Sequence, residues 1–113
     1  MESRRVVIVE GGADRKRLQK VLAEPIEILC TNGTVSSYRI EELLEPYEDY
    51  DMYVFVDADP SGEAIRALFK RVYPEVIHLY TERKYGQVET TPYRVLAAIL
   101  LAERFLVHPQ FLL

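Results

Sequence analysis

Two apolar runs in this chain end in the same way. Val6-Val7-Ile8-Val9 stops at Glu10-Gly11, and Tyr53-Val54-Phe55-Val56 stops at Asp57-Ala58-Asp59-Pro60-Ser61-Gly62. A strand that is apolar on both faces belongs inside a parallel sheet with helices covering each side. In such sheets the ligand crevice lies at the carboxyl ends of the strands. Glu10, Asp57 and Asp59 are therefore expected on one edge of one sheet. Carboxylates held close together repel one another unless a cation or a proton sits among them. Hard oxygen ligands of this kind suit Mg2+, with Mn2+ as an alternative.

The remainder alternates between strand and helix patterns. Arg5 to Glu10 reads as the first strand. Asp14 to Leu22 reads as a helix, with Leu18, Val21 and Leu22 inward and Arg15, Lys16, Arg17 and Lys20 outward. Pro25 breaks the chain, Ile26 to Thr31 reads as a second strand, and Asn32-Gly33 signals a turn at its end. Ser36 or Ser37 can cap a short helix carrying Ile40, Leu43 and Leu44, which stops before Pro46. Met52 to Asp57 is the third strand, and Asp59-Pro60 places an acid at the cap and proline in the first helical position of a helix reaching about Tyr73. Val76 to Tyr80 is a fourth strand, followed by the basic loop Arg83-Lys84-Tyr85-Gly86. Thr91-Pro92 then opens a last helix reaching about Phe105. Short links between alternating elements imply βαβ units and right-handed crossovers. The expected fold class is α/β: a three-layer, Rossmann-like fold with a four-stranded parallel sheet. One domain is expected over residues 1–113, with the motifs in a core at about 5–80 and a C-terminal helix at about 92–105.

An apolar content of 49% is globular, and a single cysteine excludes an internal disulfide or a cysteine-based zinc site. Cys30 is expected to act as a small buried hydrophobe. Arg4 and Arg5 lead into a run too short for a leader peptide, and the apolar stretch from Val95 to Val107 is interrupted by Glu103 and Arg104. No membrane association and a cytoplasmic location are expected. The net charge of −4 is unusual for a nucleic-acid partner. Setting aside Glu10, Asp14, Asp57 and Asp59 takes the 18 acids to 14, equal to the 14 bases.

Residues i and i+2 of an extended chain point to the same side, so Asp57 and Asp59 can share a cation that Glu10 faces from a neighbouring strand. Gly11 and Gly62 remove side chains where a phosphate or a backbone approaches. This arrangement resembles the toprim domain, the catalytic unit of type IA and type II topoisomerases, bacterial primases, OLD-family nucleases, recombination-repair proteins and the 5S ribosomal RNA maturase. The motifs are Glu10-Gly11, Asp57-Ala58-Asp59 with Gly62 after it, and Asn32-Gly33 behind the second strand. The resemblance covers about Arg5 to Tyr80. It implies that Glu10 acts as general acid/base and that Asp57 and Asp59, with Glu10 beside them, bind Mg2+. It also implies nucleic acid, RNA or DNA, as partner. The residues themselves offer candidate substrate contacts: Gly11 and Gly62, Asn32-Gly33 at a strand end, and Arg83 and Lys84 in the basic-aromatic loop. The chain departs from maturases and OLD nucleases in reading Glu10-Gly11-Gly12-Ala13-Asp14, without the lysine those groups often carry, and Val88-Glu89 echoes a late Val-Glu of maturase-like members.

Several of these residues also have a plainer role. Asp59 caps a helix before Pro60, Asp14 caps the first helix, Glu63 sits solvated in a first turn, His78 is packed and His108 is exposed. A receiver domain needs paired acids on its first strand and a later lysine, neither of which is evident. A haloacid-dehalogenase phosphatase carries Asp-x-Asp on its first strand rather than its third. The expected activity is Mg2+-dependent phosphodiester chemistry on nucleic acid, as a nuclease or processing enzyme. The alternative is a non-enzymatic module that binds nucleic acid or protein through the same metal site. The apolar C-terminal stretch exceeds what one helix face buries, so either the tail folds back or a homodimer covers it.

Overall fold

The computed structural model describes residues 4–33, 36–81 and 84–113. Arg83, one of the candidate substrate contacts, lies outside the described residues. The elements are β1 (Arg5–Val9), α1 (Gly12–Val21), β2 (Glu27–Cys30), α2 (Ser37–Leu44), β3 (Asp51–Phe55), α3 (Pro60–Val72), β4 (Ile77–Leu79) and α4 (Tyr93–Ala102). Short 3-10 turns cover Glu45–Tyr47 and Pro109–Leu112. The strands form a four-stranded sheet in the order β2-β1-β3-β4, with every pairing parallel. This is the expected α/β architecture.

Strand alternation divides the core into two layers. Val7, Val9, Tyr53 and Phe55 face α1 and α4, where they meet Leu18, Val21, Leu96, Ala97 and Leu100. Val6, Ile8, Met52, Val54 and Val56 face α2 and α3, where they meet Ile40, Leu44, Ile65 and Phe69. The central strands β1 and β3 are buried on both faces, which is why they read as unbroken apolar runs. From β1 the chain crosses to β2 on one side and afterwards to β3 on the other. The topological switch point therefore lies between the carboxyl ends of β1 and β3.

Local chemistry sets the helix ends. Asp59 Oδ1 accepts the Gly62 N–H at 2.7 Å, with Pro60 in the first turn of α3. Ser36 Oγ accepts the Arg39 N–H at 3.2 Å at the start of α2. The last helix differs from its expected bounds at both ends. It begins at Tyr93 because the Thr91 hydroxyl turns away to donate to the Gln87 carbonyl at 2.6 Å instead of capping. It ends at Ala102, where Arg104 adopts the left-handed region (φ 65°). The Phe105 N–H then reaches Leu100 O at 3.1 Å and the Arg104 N–H reaches Leu101 O at 2.8 Å. This pairing is a Schellman cap, and it turns Phe105 inward, edge-on to Tyr53 at 4.9 Å between ring centroids.

Beyond the cap the tail folds back along the end of α1. Val107 bridges Leu22, the His108 N–H donates to Val21 O at 2.9 Å, and Phe111 packs on Tyr93 at 5.4 Å between ring centroids. Leu101 and Leu106 stay exposed. No helix among the described residues is long and apolar enough to cross a membrane.

Candidate metal site at the switch point of the sheet

β1 delivers Glu10 to the switch point. Its Oε2 accepts the Ser61 hydroxyl at 3.2 Å, tying the end of β1 to the first turn of α3, while its Oε1 is buried with no hydrogen-bond partner among the described residues. β3 delivers Asp57, whose Oδ1 accepts the Val88 N–H at 2.8 Å. Burial raises the Asp57 pKa above the ordinary carboxylate range, and the charges of Asp59 and Glu89 push in the same direction against the lowering effect of the Val88 N–H. Asp59 gives Oδ1 to the α3 cap. In both aspartates one oxygen is committed to the loop or helix that positions it.

A fourth carboxylate belongs to this group. Asp14 is buried in the first turn of α1, and its Oδ2 accepts the Gly11 N–H at 3.1 Å, so it does cap the helix. Burial lifts its pKa to about 6, opposed by the Gly11 N–H, with the charges of Asp57, Glu89 and Glu10 adding to the rise. Its bond to Gly11, the residue after Glu10, places it beside the carboxyl end of β1.

The carboxylates share this edge without enclosing a common point. Among the described residues, no three acid, histidine or cysteine side chains are close enough to hold an ion between them. The donor chemistry nevertheless fits a hard divalent cation: oxygen ligands, mutual repulsion, and a buried Glu10 oxygen left without a partner. Two further buried hydroxyls without partners among the described residues, Thr31 Oγ1 and Thr81 Oγ1, lie just beyond the carboxyl ends of β2 and β4. All three of these oxygens thus sit at one end of the sheet.

The candidate substrate contacts fall into different roles. Gly11 is the N-cap of α1. Asn32 is exposed in the left-handed region (φ 58°), and its N–H donates to Glu10 O at 2.7 Å, which brings the end of β2 alongside the site. Gly33 follows with φ 103°, a conformation that favours glycine. Gly62 is buried, and its close neighbour is the main chain of Asp57. Lys84 is exposed on the loop whose Gly86 carbonyl accepts the Ala58 N–H at 2.7 Å. That loop runs on to Val88 and Glu89, so the late Val-Glu pair holds Asp57 through a main-chain donor and charges the site through a side chain.

Sequence reasoning missed Arg66. From α3 this buried side chain sends Nη2 to Val56 O at 3.0 Å and to Leu79 O at 2.6 Å. Its Nη1 meets His78 Nδ1 at 3.1 Å, and its guanidinium lies over the Tyr80 ring at 3.9 Å. It joins the carboxyl ends of β3 and β4 directly before Asp57. Burial and the Arg66 charge lower the His78 pKa, so the imidazole stays neutral and packed. The only signal in the sequence was an arginine on the inward face of a helix.

The parallel sheet, its order and the acids at the ends of β1 and β3 define a toprim-type α/β domain. A solved small TOPRIM domain protein from Bacillus stearothermophilus superposes with a TM-score of 0.95 and 44% identity, over 100% of this chain and 96% of that one. The chain belongs to this family of small toprim domain proteins. The uncharacterized protein YusF of Bacillus subtilis (strain 168) is 44% identical over 111 residues, covering 98% of this chain and 76% of YusF. Ribonuclease M5 of Lactiplantibacillus plantarum is 37% identical over 82 residues, covering 72% of this chain but only 43% of the ribonuclease. No protein-family model matches the chain.

Proposed function

We propose that this protein carries out Mg2+-dependent phosphodiester chemistry on nucleic acid, as a cleaving or processing enzyme. The observation that carries the reading is the gathering of unsatisfied acidic chemistry at the switch point. Glu10 Oε1 is buried and unpartnered there, and Asp14 and Asp57 are both held above their ordinary pKa amid like charges. Similarity to ribonuclease M5, which spans more than this chain, supports the same class of substrate.

Asp57 and Asp59 would hold the metal, each through the oxygen not committed to Val88 or Gly62. When bound, the ion neutralises charge on the phosphate and lowers the pKa of a coordinated water. Glu10 is the proton-transfer group: Ser61 fixes one oxygen, and the other, buried and without a partner among the described residues, is the one left to take up a proton. Asp14 is held apart by Gly11 and sets the local charge. This activity implies a cytoplasmic location, where its substrates are.

A cleavage assay on labelled RNA and DNA with added Mg2+, run beside Glu10→Gln, tests the reading. Turnover by the wild type and none by Glu10→Gln is expected. Nucleic-acid binding with no metal-dependent turnover would leave the alternative, a module that only binds.

A further inference from the structure

The charges of this chain are segregated, and the segregation has a direction relative to the site. α1 carries four bases, Arg15, Lys16, Arg17 and Lys20, against one acid, Asp14. Residues 41–51, running from α2 into β3, carry six acids and no base. α1 packs on one face of the sheet and α2 on the other. Most of these acids lie where the chain enters the amino end of β3, at the far end of the sheet from the carboxylate site, whereas α1 starts beside that site.

The bases of α1 are not neutralised by their surroundings. Asp14 is turned inward and bonded to Gly11. The two ion pairs among the described residues are Arg5–Glu24 and Arg39–Glu42, and neither involves α1. Arg17 is occupied, donating to Thr91 O and lying over the Tyr93 ring at 4.2 Å. Arg15, Lys16 and Lys20 are exposed on the outward side of the helix. Tyr93 lies 5.0 Å from Lys20 Nζ and so sits under both Arg17 and Lys20 without offering them a counter-charge. A solvated helix face usually mixes signs or pairs them at i, i+4. This face does neither.

Resting on the function proposed above, we infer that α1 is the track along which the nucleic-acid backbone enters the site, with Arg15 and Lys16 on phosphates next to the scissile position and Lys20 on one further along. α1 starts two residues after Glu10, and Asp14, next to Arg15, accepts the N–H of Gly11, which follows Glu10, so Arg15 and Lys16 lie in the part of α1 nearest the end of β1. Lys16 to Lys20 is about 6 Å of helix rise, close to two nucleotide steps along one strand of a duplex. The acidic segment 41–51 leads away from the site toward the amino end of β3, so the exposed bases next to the carboxylates are those of α1. The site itself repels phosphate until its carboxylates are neutralised, and the amino end of α1 adds a favourable dipole for an anion.

The test is the salt dependence of binding. A fluorescein-labelled duplex RNA and a DNA duplex of the same sequence are titrated at fixed Mg2+ over a range of KCl concentrations. The protein is the full chain carrying Glu10→Gln, so that nothing is cut. The comparison adds Arg15→Ala and Lys16→Ala. Removing a base that neutralises one phosphate should reduce the slope of log affinity against log salt by about 0.9, so the double substitution should flatten it by nearly 2. Glu45→Gln with Glu48→Gln, in the acidic segment leading into β3, should leave the slope unchanged. A slope that Arg15→Ala/Lys16→Ala does not alter overturns the α1 track while the proposed function stands. Absence of binding to either duplex at low salt overturns both. The arm that binds more tightly distinguishes RNA from DNA.

Discussion

Gly62 packs against the main chain of Asp57 so closely that a Cβ on Gly62 would lie 1.9 Å from the Asp57 carbonyl oxygen and 2.9 Å from its carbonyl carbon. Neither atom can move away without displacing the end of β3. Gly62 therefore seats the first turn of α3 directly on the segment that carries Asp57 and Asp59. Its N–H also caps the helix through Asp59. The glycine that follows the Asp-x-Asp pair is needed here for close backbone approach.

Gly62→Ala should accordingly destabilise the fold by about 1–3 kcal/mol, at the upper end because the obstacle is backbone rather than a mobile side chain. Urea denaturation should show a lower midpoint with an unchanged slope. An unaltered midpoint would mean that α3 slides freely over β3, and Gly62 would have no part in positioning the aspartates.

Arg66→Met should cost about 2–4 kcal/mol, because it leaves the buried carbonyls of Val56 and Leu79 without their donor. Arg66→Lys should recover only part of this, since an ammonium cannot reproduce the planar fork that spans the two strand ends. Chemical denaturation of both variants checks the order. Equal stability of Arg66→Met and the wild type would mean that Arg66 does not brace the two strand ends.

Much of this molecule was legible in its sequence, and the part that was not has a physical reason. β1 and β3 announced themselves because a strand covered on both faces needs no polar alternation. Asp59-Pro60 announced α3 because proline suits only the first turn of a helix. Thr91-Pro92 shows the same two-residue pattern and misled, since the Thr91 hydroxyl found Gln87 O instead of a helix N–H. A cap depends on where the preceding loop runs, and periodicity carries no information on that. Asp14 was legible as a cap and as a possible site acid, but its burial was not, because burial arises from packing between elements. Arg66 was hidden for the same reason: its partners are main-chain carbonyls, which leave no trace in side-chain patterns.

Asp14 also sets a pH dependence. Its pKa is about 6 in the folded chain against 3.8 as the ordinary value. In the window between these values the folded state binds the proton and the unfolded state does not, so stability rises as pH falls from about 6 toward 4 and is lower above pH 6. Asp14→Asn keeps an oxygen for the Gly11 N–H and removes the charge. It should stabilise the metal-free protein at pH 8 by roughly 1–3 kcal/mol and lose this advantage at low pH. Thermal melts in EDTA across that range check the sign. An Asn variant that is less stable at pH 8 would show that the carboxylate is favourably placed where it stands.

The last prediction separates holding a metal from using it. Calorimetric titration with Mg2+ or Mn2+ should show binding that Asp57→Asn and Asp59→Asn weaken, because each substitution removes one of the charges that attract the ion. Glu10→Gln should largely retain binding yet abolish turnover, since Gln cannot carry the proton that the unpartnered Oε1 would exchange. At 100 times the dissociation constant, a ligand that binds only the folded state adds about 2.7 kcal/mol, so saturating Mg2+ should raise the melting temperature by roughly 10 °C. The rise should shrink in Asp57→Asn/Asp59→Asn and persist in Glu10→Gln. Undiminished affinity in the double aspartate variant would move the ion elsewhere on the molecule. Wild-type turnover by Glu10→Gln would leave Glu10 with no role beyond its bond to Ser61. The two results are independent, because the aspartates sit on the β3 side of the switch point and Glu10 on the β1 side.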